Sequence, residues 1–464
     1  MMVLSLDLGT TKICALVMNE DDGVVIETRS ADNVFLPPLN PWDRQQDPER
    51  IFNIAEKLVL ELMDKYGTFR CIGLSNQMHG ILYVNAAGRA VSPLYTWQDQ
   101  CASRPFAASQ DGESYAAFLA KFSPMPVAPG YGLATNFYHI RNNMIPPGAV
   151  KLCAIGDYIA MRLCNSALPL MHSSNAAGFS FFDLPNSGYD KAAMEKAGLD
   201  PSFLPEVTAA NKVFGETRGG IPVSVSIGDN QASFLGAVRD PEGSVSVNIG
   251  TGSQISFVSP DPGVPPTMEA RPYFDGLFLL AGSSLCGGRA YAILESFFRK
   301  VLEMAGIKDS SSVYPFMNDS AMSAIDAMTE AAREESLTVN TVFAGTRLDP
   351  SIRGSILNIS EDNFTPAQFV TGFLYGIADE LFNLYLPVRE KGRVFHRALV
   401  GSGNGIRRNE ALQKIFSERF NMPLTLSPFE EEAAYGAALF ALTCIGSFGN
   451  VLEAQRFGVK TGLS

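Results

Sequence analysis

The chain has 464 residues, of which 46% are hydrophobic and 18% charged, so it holds enough apolar material for more than one core and is no small single-core module. Lys and Arg number 36 against 48 Asp and Glu, a net charge of −12, and this lacks the cationic footprint that nucleic-acid binding needs. One phosphate compound can still be held, because backbone N–H groups and a metal ion supply a local positive field.

The seven cysteines are widely spaced with no C-x-x-C pair, and the four histidines are scattered, so neither a disulfide frame nor a zinc site is expected. Asp7 comes too early for a signal peptide. The longest apolar stretch, near 433–446, falls short of the ~18 residues of a membrane span. These features predict a cytoplasmic protein without a membrane segment.

The chain opens with two predicted strands, Val3–Leu8 and Ile13–Met18, around the turn Gly9-Thr10-Thr11-Lys12, with a third at Val24–Glu27. A helix follows, capped by Asp47, started by Pro48 and ended by Gly67, with Ile51, Ala55, Leu58 and Leu62 on one face. Cys71–Leu74 is a short buried strand running into Ser75-Asn76-Gln77-Met78-His79-Gly80. Thr96-Trp97-Gln98-Asp99 follows another strand. A further apolar strand, Val223–Ile227, leads to Gly228-Asp229-Asn230-Gln231. Strand, helix and strand in this order give an α/β class.

Residues 245–258, VSVNIGTGSQISFV, repeat the pattern of 3–18, VLSLDLGTTKICALVM. Aligning Gly250 on Gly9 places Thr251 on Thr10 and Asn248 on Asp7. The repeat lies near mid-chain and implies two related domains, with the break at Asp240-Pro241-Glu242-Gly243. The second half closes with a strand at Ala398–Val400, the loop Gly401-Ser402-Gly403-Asn404-Gly405, and a helix from Asn409 to Phe420. A strand at Pro423–Leu426 and a closing helix, Glu430–Thr443, end it. The run Glu430-Glu431-Glu432 is expected to be a solvated helix start.

Each Gly-Thr turn gathers backbone N–H groups into one concavity and adds a hydroxyl, which makes a phosphate cradle; taken singly, each also reads as a plain hairpin turn. Asp7 beside the first turn suits Mg²⁺, which prefers oxygen ligands. Asp229 at a strand end reads as a general base for a substrate hydroxyl, or as a helix N-cap. Gln77, His79, Trp97 and Asp99 bring amide, imidazole, indole and carboxylate groups suited to a polyol; His79 and Trp97 also read as core residues. No Walker A pattern occurs, and Gly401-x-Gly403-x-Gly405 fails the dinucleotide fingerprint.

In this order, LDLGTTK, SNQMHG, TWQD, IGDNQAS, NIGTGS, GSGNGIRRNEALQ and EEEAAYGAA resemble the FGGY family of carbohydrate kinases over nearly the whole chain. The resemblance implies two actin-like (ribonuclease H-like) ATPase domains flanking a central cleft, 1–238 and 239–464. It implies ATP and Mg²⁺ as cofactors and a small sugar as substrate, with homodimerisation left open. Residue by residue, it makes Asp229 the catalytic base and Asp7 and Asp229 the metal-associated carboxylates. Thr10, Thr11 and Lys12 match the first phosphate loop, and Gly250, Thr251 and Gly252 the second. Gly401, Gly403, Asn404, Asn409 and Gln413 fall in the adenosine motif. Gln77, Met78, His79, Asp99, Tyr131 and Asp229 match substrate positions. QMHG, TWQD, GYGLATNFYHI (130–140) and the segment around Asn175 are most similar to the branch that phosphorylates sedoheptulose. The ketopentose branch, and a non-catalytic actin-like nucleotide-binding protein, are the rival readings. The chain departs from the family at Asn136, where many members carry Lys, and at Ser402, which replaces a common Gly.

Overall fold

A computed structural model describes residues 1–109, 112–307, 311–327, 333, 335–346, 349, 351–391 and 395–457. The chain divides into two compact units. The first comprises Met1–Arg239, Arg271–Phe278 and Glu431–Ser464, and the second Asp240–Ala270 and Leu279–Glu430. Residues Glu431–Phe457 thus follow the second unit in sequence but pack in the first. The end of the expected second domain, 458–464, lies outside the described residues.

The first unit is built on a seven-stranded sheet. Its main path runs Val213–Glu216, Pro222–Ser224, Ile72–Asn76, Met2–Leu8, Lys12–Asn19, Val25–Asp32, and Ile227–Gly228 pairs with Ile72–Asn76 off that path. Met2–Leu8 pairs antiparallel with Lys12–Asn19 and parallel with Ile72–Asn76. Val3, Leu4, Leu6 and Leu8 are all buried, the continuous apolar run of a strand covered on both faces. The helix Pro48–Tyr66 covers this sheet with Ile51, Phe52, Ala55, Leu58, Val59 and Leu62. It begins where Asp47 accepts from the N–H groups of Glu49 and Arg50.

The expected strand Val223–Ile227 is interrupted. Val225 N–H bonds the carbonyl of Lys212 (3.1 Å), continuing the pairing with Val213–Glu216, and Ser226 Oγ donates to Asn76 Oδ1 (2.7 Å). Two short strands result, Pro222–Ser224 and Ile227–Gly228.

The helix Glu432–Cys444 carries the small-residue face Ala434, Ala437, Ala438 and Ala441, all buried, against the sheet and the helix Asp229–Ala237. A Cβ on Gly436 would lie 1.9 Å from the Ala232 carbonyl oxygen, and one on Gly236 2.0 Å from that of Glu432, so only glycine permits this approach. The acidic run before this helix is not a solvated helix start: Glu432 is buried and Glu431 pairs with Lys12. A further short helix, Val451–Phe457, follows it.

The second unit contains most of a six-stranded sheet ordered Met268–Pro272, Phe278–Ser284, Ser253–Ser259, Ser244–Ile249, Ala398–Ser402, Leu424–Leu426. Ser244–Ile249 pairs antiparallel with Ser253–Ser259 and parallel with Ala398–Ser402. The hairpin-plus-parallel-strand arrangement of the first sheet therefore recurs where the sequence repeat places it. Among the described residues no helix is long and apolar enough to cross a membrane. All seven cysteines are free thiols.

Candidate functional site

Strand register assembles the acidic centre of the first unit. Asp7 pairs with Ser75 across the Met2–Leu8 and Ile72–Asn76 strands, and Ile227 pairs with Ser75 from the other side. Asp7, Ser75 and the start of the helix Asp229–Ala237 therefore meet at the carboxyl ends of adjacent parallel strands, where α/β sheets open to ligands. Gly228 occupies the N-cap and Asp229 the first helical position, so the Asp229 side chain is not spent as the cap. Gly228 N–H is fixed on Ser174 Oγ (3.1 Å), and Asn175 bonds Asn76 Oδ1 (2.9 Å) and the Ser226 carbonyl (3.0 Å) beneath it.

Both carboxylates are held above their usual range. Burial pushes Asp229 up to about 7 and the charge of Asp7 adds to this, while Arg271 pulls it down. Burial likewise raises Asp7 to about 6, against the Ser75 hydroxyl on its Oδ1 (2.5 Å); Glu431 raises it further and Lys12 lowers it. Two partly exposed carboxylates that oppose each other's ionisation are suited to a divalent cation. Among the described residues no three His, Cys, Asp or Glu side chains converge to hold a metal. Mg²⁺ needs no such cage, since it binds through one or two carboxylates, waters and substrate phosphates.

The polyol-type residues form two linked groups, His79 with Tyr131 and Trp97 with Gln77 through Thr10, and Met78 packs on Gly228, the neighbour of Asp229. His79 stacks on Tyr131 with ring centroids 4.1 Å apart and planes 7° from parallel. Its Nδ1 donates to the Gly178 carbonyl (2.7 Å), which leaves Nε2 as the acceptor nitrogen of the neutral ring. His79 holds this position at φ 73°, a left-handed conformation that a β-carbon disfavours. Met78 is buried against Gly228, and Arg271 Nη1 contacts its sulfur at 3.9 Å. Trp97 is not a core aromatic: it is 47% exposed and its Nε1 donates to Thr10 Oγ1 (3.0 Å). Thr10 Oγ1 donates in turn to Gln77 Oε1 (3.1 Å), and Gln77 Nε2 to Gln46 Oε1 (2.9 Å).

Asp99 stands apart from the other predicted residues. It is fully buried, Oδ2 accepts from Arg44 N–H (3.0 Å) and Oδ1 from Cys101 N–H (3.0 Å). Its carboxylate ties two loops together and is withdrawn from the substrate set. Arg271, Gln46, Ser75 and Glu431 join the site without having been singled out for it. Arg271 lies outside every quoted motif, and Gln46 sits in an unmarked two-residue strand, so neither carries a sequence signal.

In the second unit, the turn Gly250-Thr251-Gly252 abuts the start of the helix Gly287–Met304. Gly288 N–H donates to the Gly250 carbonyl (3.0 Å) and Arg289 N–H to that of Thr251 (3.0 Å). A Cβ on Gly288 would lie 2.4 Å from the Gly250 oxygen. Thr251 is exposed at the tip, with a helix N-terminus behind it. Asn248 Nδ2 donates to Ser402 Oγ (2.8 Å), which joins this hairpin to the Gly401–Gly403 loop. Asn404 is exposed. Asn409 instead is buried, caps the helix Glu410–Phe420 through Leu412 N–H (2.9 Å) and donates to Asn318 Oδ1 (3.1 Å). Gln413 Nε2 donates to the Ile406 carbonyl (2.8 Å). Both side chains brace the loop.

The family model described as the N-terminal domain of the FGGY family of carbohydrate kinases matches residues 2–236, and the C-terminal-domain model matches 245–444. Mouse sedoheptulokinase is 28% identical over 493 aligned residues, covering 95% of this chain and 97% of the mouse protein. Human sedoheptulokinase is 26% identical, covering 95% and 97%. The solved structure of gluconate kinase from Lactobacillus acidophilus superposes with a TM-score of 0.83 at 19% identity, covering 98% of this chain and 92% of the other.

Proposed function

The chain belongs to the FGGY family of carbohydrate kinases, and from that premise we propose that it transfers the terminal phosphoryl group of ATP to sedoheptulose, giving sedoheptulose 7-phosphate. The observation that carries the chemistry is Asp229, pushed up to about pKa 7, partly exposed, and next to Gly228, on which Met78 packs. A carboxylate so poised accepts the proton of the substrate's terminal hydroxyl as that oxygen bonds the γ-phosphorus and the bond to ADP breaks. The stacked rings and the Trp97 indole offer flat faces to the carbon chain, and Met78 and Gln77 form the floor.

Thr10, Thr11 and Lys12 in the first unit, and Gly250, Thr251 and Gly252 in the second, are the proposed phosphate-binding turns. Gly401, Gly403 and Asn404 are proposed to face the adenosine. Asp7 and Asp229 would hold Mg²⁺, which supplies charge neutralisation at the β- and γ-phosphates. Positioning and electrostatics supply most of the catalysis in such reactions.

Two sedoheptulokinases that match over 95% of the chain support the choice of sugar, as do Trp97 and Tyr131, each in a segment similar to that branch. Initial rates of ATP consumption with Mg²⁺ against sedoheptulose, xylulose, ribulose, fructose and glycerol test it. Sedoheptulose should give the highest kcat/KM. A clear preference for xylulose or ribulose would move the enzyme to the ketopentose branch.

A further inference from the structure

One buried segment, residues 172–179, bonds both to the backbone just before Asp229 and to His79. Near its start Ser174 Oγ accepts the N–H of Gly228 (3.1 Å), and near its end the Gly178 carbonyl accepts from His79 Nδ1 (2.7 Å). Between them Asn175 Nδ2 donates to Asn76 Oδ1 (2.9 Å), and Asn76 ends the strand that leads into Gln77-Met78-His79. His172, Ser174, Asn175 and Asn76 are each no more than 1% exposed.

Hydrogen-bond polarity in this segment runs one way. Ser174 N–H donates to His172 Nδ1 (3.2 Å), so that nitrogen is the acceptor of the neutral ring. Burial pushes His172 down to about 3, which keeps the ring uncharged. The Ser174 hydroxyl lies 2.8 Å from the same Nδ1 and donates to it, which turns its lone pairs to Gly228. His172 is held in turn by Phe274 and Phe440, with ring centroids 5.6 and 5.5 Å away. Among the described residues His172 Nε2 and Asn175 Oδ1 are buried without a hydrogen-bond partner. Apolar side chains would avoid that cost, so stability alone does not explain this network.

We propose that Ser174, oriented by His172, is a positioning residue for the phosphoryl transfer: through the Gly228 N–H it fixes where the Asp229 carboxylate stands. The helix Asp229–Ala237 is entered through Gly228, which has no side chain to anchor that entry, and the Ser174 hydroxyl anchors it from elsewhere in the chain. The proposal rests on the reading of Asp229 as the base. A general base works only within hydrogen-bond reach of the proton it takes, and a misplacement of about 1 Å can cost ~10²-fold.

Steady-state kinetics of Ser174→Ala, made in the wild type and in Asp229→Asn and checked for folding by circular dichroism, test it. In the wild type kcat should fall about 10- to 100-fold, with KM for sugar and for ATP within about threefold. In Asp229→Asn the same change should cost less than about twofold, since no base remains to be placed. His172→Phe keeps an aromatic ring but removes the acceptor; it should repeat this pattern, and it decides if Ser174→Ala misfolds. A kcat within about twofold of wild type overturns the proposal. So does an equal fold loss in both backgrounds, which a merely structural residue would give. Turnover retained in Asp229→Asn alone overturns the base reading, and it is told apart because it needs no change at Ser174.

Discussion

The Trp97 indole N–H donates to the hydroxyl of Thr10 at 3.0 Å, which couples the TWQD segment directly to the tip of the first Gly-Thr turn. Thr10 Oγ1 donates in turn to Oε1 of Gln77 in the QMHG segment. Three motifs separated by up to 87 residues thus share one hydroxyl. Trp97→Phe keeps the ring and deletes the donor. A net hydrogen bond is worth about 0.5–1.5 kcal/mol, so kcat/KM should fall about 2- to 10-fold with the sugar and ATP both varied. Unchanged kinetics would mean that the bond only decorates the turn.

Asp229→Asn removes the proposed base and keeps the shape. Turnover should drop by about 10²–10⁴, while calorimetric titration still shows nucleotide binding. Retained turnover would exclude Asp229 as the base.

The two Gly-Thr hairpins, one in each unit, and the place of Asp229 after a strand were legible in the sequence, because they follow from local pattern. Asp47, Pro48 and Gly67 bounded their helix for the same reason. What escaped depends on tertiary partners. Asp99 reads as a ligand in its motif, yet folding places two backbone N–H groups on its oxygens. Glu431 reads as solvated until Lys12, over 400 residues away, is placed beside it. Arg271 has no local signature, and its importance comes from packing on Met78. The break in the 223–227 strand follows from the side chains of Asn76 and Ser226, which no periodicity encodes.

The raised pKa of Asp229 sets a pH dependence. A base must be ionised in the free enzyme, so kcat/KM should fall tenfold per unit below about pH 7 and level off above it. Mg²⁺ favours the anionic form, so raising its concentration should move this limb to lower pH. The profile should be recorded at low and at saturating Mg²⁺. A flat profile from pH 5.5 to 8.5 at low Mg²⁺ would contradict the electrostatic picture.

The same shifts predict that the site costs stability. Asp7 and Asp229 have folded-state values of about 6 and about 7, above the ordinary 3.8. The folded state therefore binds protons that the unfolded chain has released, and stability falls as pH rises from about 4 to about 7. Asn at either position escapes this penalty. Without Mg²⁺, Asp7→Asn and Asp229→Asn should each gain about 1–3 kcal/mol at pH 8, and little near pH 4. Melting temperatures across that range would show it, and a gain independent of pH would point to packing instead.

Asp99 separates a structural carboxylate from a substrate-binding one. Its two oxygens satisfy Arg44 N–H and Cys101 N–H in a fully buried setting. Asp99→Ala strands both donors and should cost about 2–4 kcal/mol of stability. Asp99→Asn keeps one acceptor and should recover part of that loss. Since the carboxylate is turned into the protein, KM for the sugar should stay within about twofold in folded enzyme at low temperature. A large rise in KM with an unchanged melting temperature would return Asp99 to the sugar site and reverse its assignment as a loop tie.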